Sequence, residues 1–264
     1  MDLRLLLLAW AVAAAVMLVL WGVQRRTRNA NAVDVAWAAL IGVNALFFAA
    51  LSEGDLVRRV LIALLAAGWS LRLAGYLFVT RVLREAPEDG RYRTLRGEWG
   101  QGKFFVFYQA QALLTVVLAV PFLFISANPA SGFSWLEGLG VALWLVALAG
   151  EAVADAQLAR FRGDPAHRGR TCRVGLWRFS RHPNYFFEWL IWCAWAVMAL
   201  AAPHGWIAVA APLLMLVFIL KITGIPPTEA QALESRGDDY RRYQQTTSAF
   251  FPWFPRGRGT RMTS

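Results

Sequence analysis

The residues whose types and spacing most clearly indicate ligand binding lie in a basic segment between positions 155 and 184. Its arginines are spaced by glycines and apolar residues: Arg160, Arg162, Arg168, Arg170, Arg173, Arg178 and Arg181. A guanidinium is a planar fork that can bond two phosphate oxygens at once. Pro183 and Asn184 then indicate a helix start, whose backbone amides also favour anions. This pattern predicts a site for a phosphorylated cofactor.

The sequence has no conventional nucleotide-binding motif to serve such a cofactor. It contains neither the Gly-x-Gly-x-x-Gly fingerprint of dinucleotide-binding domains nor a P-loop. Its cysteines, Cys172 and Cys193, form no Cys-x-x-Cys pair and no His/Cys cluster, so no metal site is expected. Any cofactor must therefore be bound by helices that are not part of a nucleotide-binding domain.

Polar side chains also interrupt otherwise apolar runs at similar depths: Asp34, Arg72, Tyr76, Glu151, Asp155, Asn184 and Glu188. Glu151 and Asp155 are four residues apart, so a helix places both carboxylates on one face. An ionisable group at membrane depth costs a few kcal/mol, which makes each one a site candidate. Any one alone is equally compatible with an interfacial residue. Together they predict one polar cavity open to the cytoplasm.

Aromatic and basic residues form a further organised segment after the last apolar run. Tyr240 and Tyr243 are three residues apart on a short amphipathic stretch. This spacing either clamps a flat ring or packs on the bundle. Arg91 and Tyr92 place another basic and aromatic element on the same side of the membrane.

The composition identifies the class of protein that carries these residues. Of the 264 residues, 58% are apolar and 17% are charged, against about 45–50% and about 25% in soluble domains. This excludes an ordinary soluble globule and a disordered chain. A formal charge of +10 would suggest nucleic-acid binding in a soluble protein. Here most of the basic residues lie in the loops between membrane spans, where they have another explanation. No nucleic-acid partner is expected.

The apolar runs are near the length of about 20 residues that a membrane helix requires. Seven are found: Leu3–Val23, Val33–Leu51, Leu56–Val79, Phe104–Ile125, Trp135–Ala154, Tyr185–Ala202 and Trp206–Ile222. The sequence therefore predicts an all-α, polytopic integral membrane protein. Residues 1–254 form a single helical bundle with cytoplasmic cofactor-binding loops, and residues 255–264 form a flexible tail.

Loop charges predict the orientation of these spans, because short cytoplasmic loops collect Lys and Arg. The links 24–32, 80–103 and 155–184 are basic, whereas 126–134 and 203–205 contain no Lys or Arg. The expected topology has the N-terminus outside and the C-terminus in the cytoplasm. The expected location is a bacterial inner membrane, with membrane lipids as partners and the cofactor site facing the cytoplasm.

The motifs in the second half of the chain resemble the bacterial membrane branch of the steroid 5-alpha-reductase family. They are Gly175-Leu-Trp, Ser180-Arg-His-Pro-Asn-Tyr-Phe-Phe-Glu188-Trp, Gly224-Ile-Pro and Tyr240-x-x-Tyr243. The resemblance covers Asp155 to Phe254 well and the first hundred residues loosely. Arg-His-Pro-x-Tyr also occurs in isoprenylcysteine carboxyl methyltransferases and sterol C14 reductases, so the fold is more strongly implied than the reaction.

The resemblance implies an NADPH-dependent enzyme that reduces the carbon–carbon double bond of a lipid-like enone, of the 3-oxo-4-ene steroid class, entering from the bilayer. It places cofactor contacts at Asp155, Arg162, Arg170, Asn184 and Glu188, and at Arg91 and Tyr92 in the loop after the third span. The cofactor-binding set expected here is completed by Arg173, Arg181, His182, Tyr185, Tyr240 and Tyr243.

The proposed chemistry also needs an O–H donor aimed at the substrate oxygen, where negative charge develops. The family supplies a Gln-Glu pair on its second span and a Tyr on its third, and this sequence departs from both. We predict Asp34 and Tyr76 as the catalytic donors, since burial keeps a carboxyl group protonated.

Two other functions are compatible with the sequence. An S-adenosylmethionine-dependent methyltransferase fits the Arg-His-Pro-x-Tyr motif, although a sulfonium cofactor does not need so many arginines. A small transporter would use Asp34, Glu151 and Asp155 as an ion path, although no inverted repeat is found.

Overall fold

The computed structural model describes residues 2–83 and 87–256, and these are almost entirely helical. The helices are α1 (Leu3–Thr27), α2 (Ala32–Leu51), α3 (Leu56–Leu77), α4 (Gly90–Glu98), α5 (Gln101–Ser126), α6 (Trp135–Gly163), α7 (Pro183–Ala199), α8 (Ala210–Val217) and α9 (Ile225–Thr246). Wider π-helical turns, Phe78–Leu83 and Phe218–Ile222, follow α3 and α8. The all-α prediction is confirmed for this part of the chain.

Aspartates begin three of these helices by accepting hydrogen bonds from free backbone amides. Asp2 caps α1, Asp55 caps α3 and Asp89 caps α4. Such caps satisfy donors that the first turn of a helix leaves unpaired. The helix boundaries are thus set by short polar side chains between apolar runs.

Within the described residues, six helical segments are long and apolar enough to cross a membrane: Leu3–Thr27, Ala32–Leu51, Leu56–Leu83, Gln101–Ser126, Trp135–Gly163 and Gly205–Thr246. The chain is therefore an integral membrane protein. The predicted span over 185–202 corresponds to α7, which has 17 residues. At about 1.5 Å per residue, a helix of this length is shorter than a hydrocarbon core of about 30 Å.

The structure adds helical detail to two of the links between predicted spans. The segment 155–163 is the end of α6 and not part of a loop, because Leu158 and Phe161 continue the apolar pattern and basic residues favour a helix C-terminus. The link 80–103 contains α4, a short polar helix without the apolar run by which the spans were recognised.

The described helices group into two compact units. Unit 1 contains the residues up to Gly138 and Ala196–Ala211. In it, α2 packs on α3 and α5, and α1 packs on α5. Gly42 allows the close contact of α2 with α3, because a Cβ there would lie 2.3 Å from Ser70 Oγ. Ser70 donates a hydrogen bond of 2.9 Å to the Ala38 carbonyl.

A buried ion pair fixes one loop of unit 1. Arg58 and Glu137 are each 1% exposed, and the guanidinium donates to the Glu137 carboxylate and to the carbonyls of Ala130 and Gly132. Every charge is matched by hydrogen bonds, which is the condition under which burial of an ion pair is tolerated.

Unit 2 contains Leu139–Trp195 and the described residues from Pro212 onward. Trp144 of α6 packs against Trp195 of α7, with ring centroids 5.8 Å apart. Trp177, in the segment between these helices, donates a 2.9 Å hydrogen bond to the Ala154 carbonyl of α6. These contacts hold the basic segment against α6 and α7.

Candidate functional site

In unit 2, a hydrogen bond joins two of the predicted cofactor-binding residues, one on α6 and one on α7. Asn184, in the first turn of α7, donates from its amide to Asp155 Oδ1 of α6 at 3.2 Å. Its own amide oxygen accepts the backbone N–H of Tyr185 at 3.0 Å. The structure thus brings together two predicted cofactor contacts that are 29 positions apart.

Two more acidic side chains lie one helical turn from this pair. Glu188 is four residues after Asn184 and accepts the indole N–H of Trp192 at 3.0 Å. Glu151 is buried four residues before Asp155. We call Asp155, Asn184 and Glu188 the polar junction. It offers both hydrogen-bond donors and acceptors, as recognition of ribose hydroxyls or an amide requires.

The arginines after the junction divide into two groups. Arg162, Arg168 and Arg170 are exposed, and among the described residues none of them forms an ion pair with a carboxylate. Arg173, by contrast, is paired with Asp239 at 2.8 Å. The first group is therefore the one whose guanidinium groups are available to a phosphate.

Arg173 and Arg236 form a cluster with two tyrosine side chains. Arg173 lies over the ring of Tyr243 at 5.6 Å, and Arg236 lies over the ring of Tyr240 at 5.0 Å. The two tyrosine rings are 5.9 Å apart in an edge-to-face contact. The tyrosines thus contact arginines and each other, an arrangement that fixes both guanidinium groups.

Cys172 lies beside this cluster and is buried. Burial raises the pKa of its thiol, and a backbone hydrogen bond and the charges of Arg162 and Arg236 oppose that rise only in part. The thiol is therefore neutral at physiological pH.

Glu229, near the start of α9, accepts hydrogen bonds from four side chains. The donors are Arg181 at 2.6 Å, His182 at 3.2 Å, Tyr240 at 3.2 Å and Gln244 at 2.7 Å. Burial lowers the pKa of His182 more than its hydrogen bond to Glu229 raises it, so the ring is neutral and donates its Nε2–H. Glu229 thereby connects the start of α7 with both ends of α9.

Tyrosine hydroxyls complete this scaffold. Tyr243 donates to the Trp177 and Ser180 carbonyls. Tyr185 shares a 3.1 Å hydrogen bond with Thr228 and stacks on His182 at 5.4 Å. These contacts are internal to unit 2, so the Arg-His-Pro-Asn-Tyr motif builds the support of the polar junction.

Unit 1 contains a second cluster, centred on Asp34 in the first turn of α2. Its carboxylate accepts hydrogen bonds from Arg81, Arg91 and Tyr92. Asp89 pairs with Arg91 at 3.1 Å and with Arg81 at 3.2 Å. We call these five residues the Asp34 cluster. It connects α2 with the π-helical turn after α3 and with α4.

Burial and charge set the protonation of this cluster. Burial raises the pKa of Tyr92 well above its ordinary value, and the charge of Asp34 raises it further, so Tyr92 keeps its proton. Burial alone would raise the pKa of Asp89, but the hydrogen bonds and charge of Arg91 hold it below its ordinary value. Tyr92 is thus a donor and Asp89 an ionised acceptor.

The sequence of the chain was compared with those of known families and proteins. Residues 20–247 match the sequence model of a family described as "Protein of unknown function (DUF1295)". The chain belongs to the DUF1295 family. DUF1295 is a steroid 5-alpha-reductase-like membrane family, in agreement with the resemblance in the motifs.

A relative of this DUF1295 protein occurs in Schizosaccharomyces pombe (strain 972 / ATCC 24843). It bears the name "Uncharacterized protein C594.04c" and is 27% identical over 266 residues, covering 89% of this chain and 76% of the relative. No solved structure matches the chain.

The predicted site residues of the DUF1295 chain occupy different surroundings. Asp155, Asn184 and Glu188 form the polar junction, and Arg162 and Arg170 are exposed near it in sequence. Arg173, Arg181, His182, Tyr185, Tyr240 and Tyr243 make the internal contacts described above. Arg91 and Tyr92 belong to the Asp34 cluster, in the other unit.

The two predicted catalytic residues have different surroundings: one is hydrogen-bonded in a cluster and the other is exposed. Asp34 acts as a hydrogen-bond acceptor, whereas the predicted role requires a donor. Tyr76 of α3 is 64% exposed, with its phenol at the surface of unit 1. Their catalytic roles stay predictions.

Sequence reasoning missed Glu229 and Arg236. Glu229 lies in an apolar-to-polar transition after a Pro-Pro pair, where a carboxylate gives no periodic signal. Arg236 is four residues before Tyr240, but Gly237 between them has a positive φ of 50° that interrupts the helix. Within the described residues, no group of three His, Cys, Asp or Glu side chains is placed to hold a metal ion.

Proposed function

We propose that this DUF1295 protein is a membrane oxidoreductase that uses NADPH to reduce the carbon–carbon double bond of a lipid-like enone of the 3-oxo-4-ene steroid class. The observation that carries the proposal is the polar junction, in which Asp155 and Asn184 are hydrogen-bonded on the same unit as Arg162, Arg168 and Arg170. The relation of the family to steroid reductases supports an enzyme.

The chemistry of the donor set fits a phosphorylated dinucleotide. Arg162 and Arg170 offer forked cationic donors to phosphate oxygens, and Asp155 and Asn184 offer an acceptor and a donor to hydroxyl or amide groups. NADPH, when bound, supplies the hydride. The extra adenosine phosphate requires positive charge, which the exposed arginines provide.

The protein must also stabilise the charge that develops on the substrate. Hydride addition to the β-carbon of an enone leaves negative charge on the carbonyl oxygen, and an O–H donor in a dry site lowers the energy of that state. A proton then completes the saturated ketone. Tyr76, whose phenol is exposed on a membrane helix, is the donor we propose, with Asp34 as a positioning residue for Arg91 and Tyr92.

The proposed topology has seven spans, with α7 as the additional crossing, the N-terminus outside and the C-terminus in the cytoplasm of a bacterial cell. The basic residues at the end of α1, after α3 and at the end of α6 support it. Reporter fusions at Thr27, Ser52, Gly163 and Thr246 test it. The proposal expects Thr27, Gly163 and Thr246 on the cytoplasmic side and Ser52 on the other, whereas a chain without the α7 crossing would place Gly163 and Thr246 on opposite sides.

A turnover assay tests the proposed reaction. Purified protein in detergent is given NADPH and a 3-oxo-4-ene steroid, and loss of NADPH absorbance is followed together with mass spectrometry of the steroid. The proposal expects a product that carries two additional hydrogens. Methylation of a carboxyl substrate with S-adenosylmethionine, and no NADPH consumption, would instead support the methyltransferase alternative.

A further inference from the structure

The C-terminal segment, residues 247–256, is held against the segment before α7 by main-chain hydrogen bonds. Arg181 N donates to the Ser248 carbonyl at 2.8 Å, and Trp253 N donates to the Phe179 carbonyl at 2.9 Å. Ser180 Oγ donates to the Phe250 carbonyl at 2.8 Å. The segment therefore has a fixed shape, although it is neither helix nor strand.

This fixed segment presents large aromatic side chains outward. Trp253 is 72% exposed and Phe254 is 76% exposed, while Phe251 is also exposed. Phe250, by contrast, is buried against Phe186. Trp side chains displayed in this way are typical of the membrane–water interface, where the ring contacts both acyl chains and headgroups.

A pocket of about 340 Å³ lies beside these aromatic side chains, within unit 2. Its walls include Arg181, Arg256, Thr246, Thr247, Trp253 and Phe254. Among the described residues that line it, none is acidic. The pocket thus combines cationic, hydroxyl and aromatic side chains.

The Arg181 guanidinium of this pocket is held in position, and the Arg256 backbone is anchored. Arg181 donates from Nε to Glu229 and from Nη1 to the Gln244 and Thr247 carbonyls, so its orientation is fixed from behind. Arg256 N donates to the Thr246 carbonyl at 2.9 Å, which anchors its backbone at the rim of the pocket. The Arg181 side chain and the Arg256 backbone therefore have little conformational entropy left to lose when an anion binds.

We propose that this pocket binds the phosphodiester headgroup of an anionic phospholipid. The Arg256 guanidinium matches a phosphate, the threonine hydroxyls match glycerol oxygens, and the acyl chains would continue past Trp253 and Phe254. A volume of about 340 Å³ is near the lower end of ligand pockets, about 300–1,000 Å³, and suits a headgroup rather than a whole lipid. Arg181 is already paired with Glu229, so the charge of Arg256 is the one that favours an anionic lipid over a zwitterionic one.

Thermal unfolding of the full chain in detergent tests this site. Short-chain phosphatidylglycerol, short-chain phosphatidylcholine and inorganic phosphate are titrated separately at matched ionic strength. We expect saturable stabilisation by phosphatidylglycerol, with an affinity weakened about tenfold in Arg256→Ala because a charge-assisted hydrogen bond to the phosphate is lost. Arg241→Ala, which removes an equal charge from an exposed position of the same unit, should bind as the wild type does.

A second measurement places the lipid. Brominated phosphatidylglycerol should quench wild-type fluorescence more than that of Trp253→Phe, and this difference should exceed the one seen with brominated phosphatidylcholine. Equal stabilisation by the two lipids, or equal affinity in Arg256→Ala and Arg241→Ala, would overturn the proposal. Equal stabilisation by inorganic phosphate at the same concentrations would show that the pocket binds free phosphate and would exclude a specific lipid site.

Discussion

The phenol of Tyr92 on α4 donates a hydrogen bond to the carboxylate of Asp34 on α2, across 58 positions of the chain. Arg91, the neighbour of Tyr92, contributes its guanidinium to the same carboxylate at 3.2 Å. A loop helix with little apolar surface is thus attached to a membrane span by charge and hydrogen bonds. Residues predicted separately as a donor and as cofactor contacts form one cluster.

Tyr92→Phe should lower the thermal stability of the protein. The substitution keeps the aromatic ring and removes one donor from the partly buried Asp34 carboxylate, and a hydrogen bond to a charged group contributes about 1.5–3 kcal/mol. The midpoint of thermal unfolding in detergent measures the loss. Tyr76→Phe is the matched control, because the phenol of Tyr76 is exposed and its removal should leave the midpoint unchanged. Equal unfolding midpoints for the two variants would contradict a stabilising role of the Tyr92 hydroxyl.

Tyr76→Phe should instead lower turnover while NADPH binding is retained. A donor that acts only on the developing charge contributes to the transition state and not to cofactor affinity, and its loss costs about 10²–10³-fold in kcat. Steady-state kinetics with the enone and a separate NADPH titration measure the two quantities. Wild-type turnover in this variant would exclude Tyr76 as the donor.

Glu229→Gln should destabilise unit 2 strongly. The carboxylate accepts hydrogen bonds from four side chains, Arg181 among them, and loss of a charge leaves a partly buried guanidinium without its partner, which typically costs about 3 kcal/mol or more. Glu234→Gln is the control, since Glu234 is exposed on the same helix. We expect a clearly lower unfolding midpoint for Glu229→Gln and an unchanged midpoint for Glu234→Gln.

Asp89 should make the Asp34 cluster sensitive to acid. Because its pKa is held below the ordinary value, ionised Asp89 contributes stability above the unfolded pKa of about 3.9, and this contribution is lost as the pH falls through the folded pKa. Asp89→Asn keeps a side chain that can cap α4. The difference in midpoint between wild type and this variant should be constant above about pH 5 and shrink below about pH 4. A difference that stays constant at acid pH would contradict this.

The sequence predicts the membrane helices better than the contacts of their polar residues. Apolar runs determine α1, α2, α3, α5 and the start of α6, because burial in lipid depends on composition over about 20 residues. The partners of Asp34 and Glu229 lie far along the chain, so no local pattern indicates them. Asp155 and Asn184 could be proposed as neighbours only through the motif resemblance.

The arginines illustrate the same limit. The sequence predicts cofactor contacts at Arg162, Arg170, Arg173 and Arg181 alike. The structure separates Arg173 and Arg181, which pair with Asp239 and Glu229, from Arg162 and Arg170, which are exposed. Only the tertiary positions of the two carboxylates make this distinction, since both follow the segment by more than 40 positions.

The proposed function depends on NADPH recognition by the exposed arginines beside the polar junction. Equilibrium titration of the purified protein with NADPH, NADH and S-adenosylmethionine, for wild type, Arg170→Ala and the charge-matched control Arg241→Ala, measures this recognition directly. We predict that wild type and the control bind NADPH but not S-adenosylmethionine, and that Arg170→Ala weakens NADPH about tenfold while NADH binding changes little. Binding of S-adenosylmethionine without NADPH, or equal losses for NADPH and NADH in Arg170→Ala, would contradict the account.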